Sequence, residues 1–227
     1  MIVGVDIGTQ SLKAVVTTEG LELIGEASVA YEPSYPRPGA AEQDTGVWER
    51  ALAPAIGRAL EAARVRSDGI RAIGICGQLD GCVATDASGR AIAPCIIWMD
   101  RRAEQEITDV PAELVRARGG VVLDATHMAA KIRWQKRHLS DSSCAVRFHQ
   151  PVSYLVSRLT GEHVFDHALA STTMLYDLKR CALDTELLEL FGIRADELPR
   201  IAEAAEAAGK LNAAGARMTG LPAGIIV

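Results

Sequence analysis

Apolar residues alternate with polar or small ones over Ile2–Ile7, and again over residues 12–18 and 21–30, which is the period of half-buried strands. Glu19-Gly20 marks a tight turn between the second and third runs, so the chain opens as an antiparallel meander. Residues 32–44 carry Pro33, Pro36, Pro38 and Gly39 and read as an extended surface loop. The period then changes. Val47, Leu52, Ile56 and Leu60 fall near one face of a helix that starts at an N-cap on Thr45 and runs to about Arg66. The short apolar run 70–76 follows that long helix, which makes it a buried strand parallel to the first. Runs 82–85 and 91–97 flank the turn Asp86-Ala87-Ser88-Gly89 and predict a second hairpin.

Beyond Arg102 the pattern is helical, with candidates at 103–107, 112–118 before Gly119-Gly120, 128–137, 151–159 before Gly161, and Thr185–Phe191 before Gly192. The turn Gly220-Leu221-Pro222-Ala223-Gly224 delivers the chain into a new strand at 225–227, whose continuation is expected outside this sequence. No period of solenoid length repeats. The expected architecture is one α/β domain with a mixed sheet, in which the helices inserted after Arg102 form a lobe of their own.

Composition narrows the function classes. Of 227 residues, 48% are apolar, 23% charged and 4% aromatic, the profile of a folded chain with a core. With Lys+Arg 24 against Asp+Glu 29 the net charge is -5, which offers a polyphosphate backbone no bulk attraction, so no nucleic-acid partner is expected. The longest near-apolar stretch, 91–99, contains Pro94 and is about half of what a bilayer requires. The opening Met1-Ile2-Val3-Gly4-Val5-Asp6 has no cationic lead and puts a carboxylate where a signal peptide is apolar, so a cytoplasmic protein with no membrane partner is expected. Five cysteines, Cys76, Cys82, Cys95, Cys144 and Cys181, show no C-x-x-C pair and read as buried reduced thiols. His163 and His167 have the spacing of a helical metal pair, but Val164, Phe165 and Asp166 between them read as a strand end and no third ligand is at hand.

Four stretches carry candidate chemistry. Asp6-Ile7-Gly8-Thr9-Gln10-Ser11-Leu12-Lys13 joins two apolar strands. A carboxylate at a strand end can hold a hard cation, and Gly8 lets the N–H groups of the turn approach phosphate oxygens, with Lys13 adding a point charge. It is not a P-loop, and an ordinary hairpin turn reads the same way. Gly74-Ile75-Cys76-Gly77-Gln78-Leu79-Asp80-Gly81 sets an amide and a carboxylate after a buried strand, where open α/β sheets bind ligands. There Gln78 and Asp80 suit a polyol, while glycines that serve only a tight hairpin are the blander account. Ile96-Ile97-Trp98-Met99-Asp100-Arg101-Arg102 offers an aromatic face beside a carboxylate and a guanidinium, suited to a sugar and equally to a core tryptophan with a surface ion pair. Lys131, Arg133, Lys136, Arg137 and His138 surround Trp134, and a solvated helix face explains them better than a phosphate site.

In order along the chain, these motifs resemble the N-terminal half of the FGGY family of carbohydrate kinases, close to the xylulokinase type. The resemblance extends over essentially the whole chain. It also includes Pro38-Gly39-Ala40-Ala41-Glu42-Gln43-Asp44 with Trp48, Lys131 with Trp134, Ala170-Ser171-Thr172-Thr173-Met174-Leu175-Tyr176-Asp177, and Thr219-Gly220-Leu221-Pro222-Ala223-Gly224. It implies an actin-like, ribonuclease-H-type domain over residues 1–227 that supplies the sugar half of a cleft, with a C-terminal nucleotide domain absent from this chain as its partner.

By the same resemblance, ATP and Mg are the cofactors. Asp6 is the metal ligand, and Asp6, Gly8, Thr9, Gln10, Ser11 and Lys13 form the nucleotide side. Gln78, Leu79, Asp80, Trp98, Asp100 and Arg102 line the pocket for a pentulose or polyol. Xylulokinases carry Met-His where this chain has Leu79-Asp80, and an acidic residue there is closer to glycerol and polyol kinases. Ala130 and Gln135 also depart from the usual lysine motif. The general base is expected beyond Val227, so no catalytic base is assigned and the chain alone is expected to be inactive. A non-catalytic polyol-binding or interaction module on the same fold is the alternative, and a second copy of the chain is kept open as a partner.

Overall fold

The computed structural model describes residues 1–139 and 144–227. Its opening follows the alternation closely. Strands β1 (Ile2–Ile7), β2 (Ser11–Thr17) and β3 (Leu23–Ala30) form the antiparallel meander. The third strand starts two residues later than expected, because Leu21 adopts φ 64 and prolongs the turn. After the proline-rich loop comes β4 (Glu42–Gln43), then helix α1 (Thr45–Ala63). Its cap is Asp44 rather than Thr45: Asp44 Oδ1 accepts the Gly46 N–H at 2.9 Å, and Arg64 at φ 55 ends the helix before Arg66. The buried stripe of α1 is Trp48, Ala51, Leu52, Ala55, Ile56, Ala59 and Leu60, with Val47 at its margin.

Strand β5 (Ala72–Gly77) pairs in parallel with β1, as the run-helix-run order predicts, and completes a mixed sheet of order β3-β2-β1-β5. Its burial is less than expected: Ile73 is enclosed while Gly74 and Cys76 are exposed. The chain end runs beside it, with Ile226 O accepting the Ile73 N–H at 2.9 Å. The second hairpin survives only as the isolated bridges Cys82↔Ile96 and Thr85↔Ala91. The strands β6 (Val83–Thr85) and β7 (Cys95–Ile96) take other partners, β7 pairing with β4.

Then follow α2 (Ala112–Gly119), α3 (Met128–His138) and β8 (Arg147–His149), the partner of β6. Next are α4 (Pro151–Thr160), β9 (Val164–Asp166), α5 (His167–Ser171), β10 (Tyr176–Asp177), β11 (Ala182–Leu183) and α6 (Thr185–Phe191). The last elements are β12 (Arg200–Ala202), paired in parallel with β9, and α7 (Ala213–Thr219). Residues 104–107 form a 3₁₀ turn instead of a helix. The inserted helices pack onto the sheet. Met128, Ile132, Leu155, Leu159 and Phe191 lie in one continuous apolar core with Val3, Val5, Ile7 and Trp48, so the inserted helices close the same core as the sheet.

All five cysteines are free, but only Cys82 and Cys95 are buried, whereas Cys76, Cys144 and Cys181 are exposed. The basic stretch on α3 is largely paired rather than solvated. Arg133 meets Asp109 at 2.6 Å and Lys136 meets Glu197 at 2.6 Å, while Lys131 is fully enclosed. No helix among the described residues is long and apolar enough to cross a membrane.

Of the spaced histidines, His167 Nδ1 lies 2.6 Å from the Tyr176 hydroxyl, and His163 packs against His149. The His149 and His163 rings lie 5.2 Å apart. Burial, then His163 and Arg147, hold the His149 imidazole well below its usual range, and burial followed by Arg147 lowers His163. His149 is therefore neutral in the folded chain and the neutral form of His163 is favoured, while the unfolded chain protonates both near a pKa of about 6.5. The unfolded state binds more protons below that pH, so stability is complete above it and is lost as pH falls, by up to about 1.4 kcal/mol per pH unit for the fully buried His149 and by less for the partly exposed His163. Melting temperatures recorded across this range should fall with pH, and His149→Phe should flatten the slope; an unchanged slope in that variant would contradict the assignment.

Candidate active-site cleft

Alternation on β1 turns Val3, Val5 and Ile7 into the core and leaves Asp6 on the opposite face, in register with Lys13 of β2 and Cys76 of β5. The strand then reverses through a turn closed by the Gly8 N–H on Ser11 O at 2.9 Å. A Cβ at Gly8 would lie 2.9 Å from that same carbonyl, so the turn needs glycine there. Tyr31 pins it from β3's exit by donating its hydroxyl to Gly8 O at 2.8 Å. Burial first and the Asp6 carboxylate second raise the Tyr31 phenol, which keeps it protonated as a donor.

A cleft of about 420 Å³ opens over this turn, lined by Asp6, Gly8, Thr9, Gln10, Ser11 and Lys13 together with Tyr35, Trp98 and Met99. Every residue expected on the nucleotide side thus shares one wall with the tryptophan expected on the sugar side. Trp98 is half exposed and donates its indole N–H to Thr9 Oγ1 at 3.0 Å. Tyr35 and Met99 were not anticipated. The Tyr35 hydroxyl donates to Met99 Sδ at 3.6 Å, and an aromatic in a proline-rich loop was the available signal.

The loop after β5 is tied to the turn after β1 through a side chain the motif reading passed over. Gln43, almost fully buried, donates Nε2–H to Thr9 O at 2.7 Å and accepts Gln78 Nε2–H on Oε1 at 2.7 Å. Gln78 also donates its backbone N–H to Ile7 O at 2.8 Å. Two residues on, Asp80 is held by three residues from two other segments, the start of α3 and the start of α4. Gln150 Oε1 accepts its N–H at 3.1 Å, Lys131 Nζ donates to its carbonyl at 2.5 Å, and His127 Nδ1 sits 3.2 Å from Oδ2. Lys131 also donates to Thr126 O at 2.5 Å. Burial pushes this ammonium down to about 8, against the opposing pull of Asp80 and the nearby thiols. Leu79 points out, 45% exposed.

Asp100 and Arg102 lie elsewhere in the design. Asp100 has no exposed surface; its Oδ2 accepts the Ala41 N–H at 2.6 Å and its Oδ1 the Arg102 N–H at 2.9 Å. The Arg102 guanidinium binds Asp100 at 2.8 Å and Glu42 at 2.6 Å and lies 4.9 Å from the Trp134 ring centroid. The pair locks the Trp98 run to the loop carrying Gln43 and offers a ligand little, so its expected place in the sugar pocket is revised to that of a frame.

As for a metal, Asp6 is the one carboxylate in the cleft lining, beside the hydroxyl-bearing Thr9 and Ser11. One hard carboxylate with no further acidic ligand fits Mg²⁺, which keeps several waters and takes its remaining oxygens from phosphate.

Residues 1–227 match the model of the FGGY family of carbohydrate kinases, N-terminal domain. A glycerol kinase of Thermococcus onnurineus is 33% identical over 217 residues, covering 92% of this chain and 44% of that protein. A xylulose kinase of Staphylococcus xylosus is 28% identical over 216 residues, again with 92% and 44% covered. Among solved structures, a xyloylose kinase from Brucella ovis superposes with TM-score 0.90 at 31% identity, over 99% of this chain and 46% of that one. The xylulose kinase from Rhodospirillum rubrum gives TM-score 0.92 at 28% identity, over 99% and 47%. The chain thus spans about half the length of the relatives it matches. With the mixed sheet and its flanking helices, these likenesses establish the actin-like fold, and the chain belongs to the FGGY family of carbohydrate kinases.

Proposed function

We propose that this chain is the acceptor-binding half of an ATP-dependent kinase that phosphorylates a hydroxyl of a pentulose or polyol. The observation that supports it best is the Gln43 bridge, which makes the Asp6 turn and the Gln78–Asp80 loop one rigid wall beside Trp98. Phosphoryl transfer depends on alignment and charge neutralisation, and a rigid wall of this kind serves both. In this reading Trp98 stacks on the C–H face of the acceptor, and Gln78 and Asp80 accept its hydroxyls. The tip of the turn, Thr9 and Gln10, offers N–H groups to phosphate, and Lys13 adds positive charge. Asp6 would hold Mg²⁺, which when bound neutralises phosphate charge. A nucleotide-binding half is the implied partner, and no general base is assigned among residues 1–227.

Calorimetric titration of the chain with D-xylulose and with glycerol tests the reading. Asp80→Ala should weaken acceptor binding by about 1–3 kcal/mol, the worth of a hydrogen bond to a charged group. Asp6→Ala should leave it nearly unchanged and instead abolish any Mg-dependent nucleotide binding. Equal losses in both variants, or no binding of either acceptor, would overturn it, and acceptor binding with no response to Mg-nucleotide in the presence of the partner half would favour a non-catalytic module.

A further inference from the structure

Asp80 adopts φ 57, a left-handed conformation strained for a residue with a side chain. It is maintained from outside the loop. Lys131 and His127, four residues apart at the start of α3, hold its carbonyl and its Oδ2, and Gln150 holds its N–H. One polar atom of the residue is left over. Asp80 Oδ1 is enclosed without a partner, and Gln78 Oε1 is in the same condition. The orientation of the Gln78 amide is not free, since its Nε2 is committed to Gln43. The loop therefore keeps two unsatisfied oxygens, both acceptors, and an enclosed acceptor is unfavourable until a donor reaches it. A neutral polyhydroxy molecule brings O–H donors. A sugar acid brings further acceptors and a charge of the same sign as Asp80.

We infer that His127 is a specificity-determining residue: by engaging Asp80 Oδ2 it leaves Oδ1, like Gln78 Oε1, as an unpartnered acceptor, so that the loop takes hydroxyls of a neutral polyol and rejects acceptors bearing a carboxylate. The inference rests on Gln78–Asp80 being the acceptor loop. His127 acts as a positioning residue here. The tautomer with its proton on Nδ1 donates to Oδ2 and fixes the rotation of the carboxylate.

The test compares affinities of the chain for glycerol, D-xylulose and D-gluconate by titration calorimetry, with melting temperatures to confirm folding. The chain should bind the neutral probes more tightly than gluconate. His127→Phe should weaken the neutral probes about 10-fold or more while changing gluconate less, so the ratio between them narrows. His127→Gln, whose amide N–H can reach Oδ2, should restore the ratio, and Asp80→Asn should collapse it through tighter gluconate binding. A folded His127→Phe variant with an unchanged ratio overturns the inference, as does a loss shared equally by all three probes, which is what a purely structural role produces. Equal wild-type affinity for gluconate and the neutral probes also overturns it, while leaving the acceptor site itself standing. Should neither neutral probe bind the chain, the proposed function falls, and this inference with it. If the phenylalanine variant does not fold, the Gln and Asn variants decide alone: an unaltered ratio in Asp80→Asn rules the inference out.

Discussion

Asp100→Ala should destabilise the chain by about 3–5 kcal/mol, because it strands a charge in the interior. The Arg102 side chain is 7% exposed and would keep only Glu42 as a counter-charge, and the Ala41 N–H would lose its acceptor. For a chain of this length that corresponds to a fall in melting temperature of roughly 6–20 °C. Asp100→Asn should cost less, since it retains an acceptor for Ala41 while giving up the charge. The damage should also reach the cleft, because Asp100 anchors the run that presents Trp98. Its indole fluorescence in the folded variant should shift toward that of a fully exposed ring. A melting temperature within about 2 °C of wild type would show that the guanidinium finds water or another partner.

Gly77→Val should cost at least about 3 kcal/mol and eliminate acceptor binding. A Cβ at this position would fall 2.7 Å from Ile7 O, 2.8 Å from Ile7 Cβ and 2.9 Å from Ile7 N. These are mostly backbone atoms of the neighbouring parallel strand, so relief requires β1 and β5 to part where Ile7 O accepts the Gln78 N–H. Parting them separates the phosphate turn from the acceptor loop. Gly74, three residues earlier on the same strand, provides the contrast, since nothing lies within 4 Å of its added Cβ. Gly74→Ala should change stability by no more than about 0.5 kcal/mol and leave binding intact. Chemical denaturation of both variants gives the comparison, and similar midpoints would mean that the strands accommodate the clash.

The sheet was legible because one face of it is covered, so burial is written into the alternation of Ile2–Ile7 and of residues 12–18. Helix α1 was legible for the same reason at the other period. What failed was decided by distant partners. Thr45 and Asp44 are both cap formers, and only the geometry of the entering chain selects Asp44. Residues 82–85 and 91–97 look like a hairpin because a turn joins them, but β8 and β4 compete for their edges. In the cleft, Asp6 and Trp98 were legible as strand-end polar and aromatic residues. Asp100 was not: a carboxylate reads the same whether it faces a sugar or, as here, is enclosed by Ala41 and Arg102. Lys131 misled for the reverse reason, since lysine is almost never fully buried unless paired, and its partners are carbonyls that no sequence pattern displays.

The hold of α3 on Asp80 bears on how this protein could be re-engineered. Written as text, the acceptor loop is a short stretch that invites grafting from one kinase to another. Yet its carbonyl is fixed by a residue 51 positions later, its carboxylate by one 47 later and its N–H by one 70 later. A transplanted loop arrives without the lattice that imposes its left-handed residue, and relaxes. The unit of exchange is therefore the loop together with the first turn of α3 and Gln150, a module continuous in space and scattered in the gene.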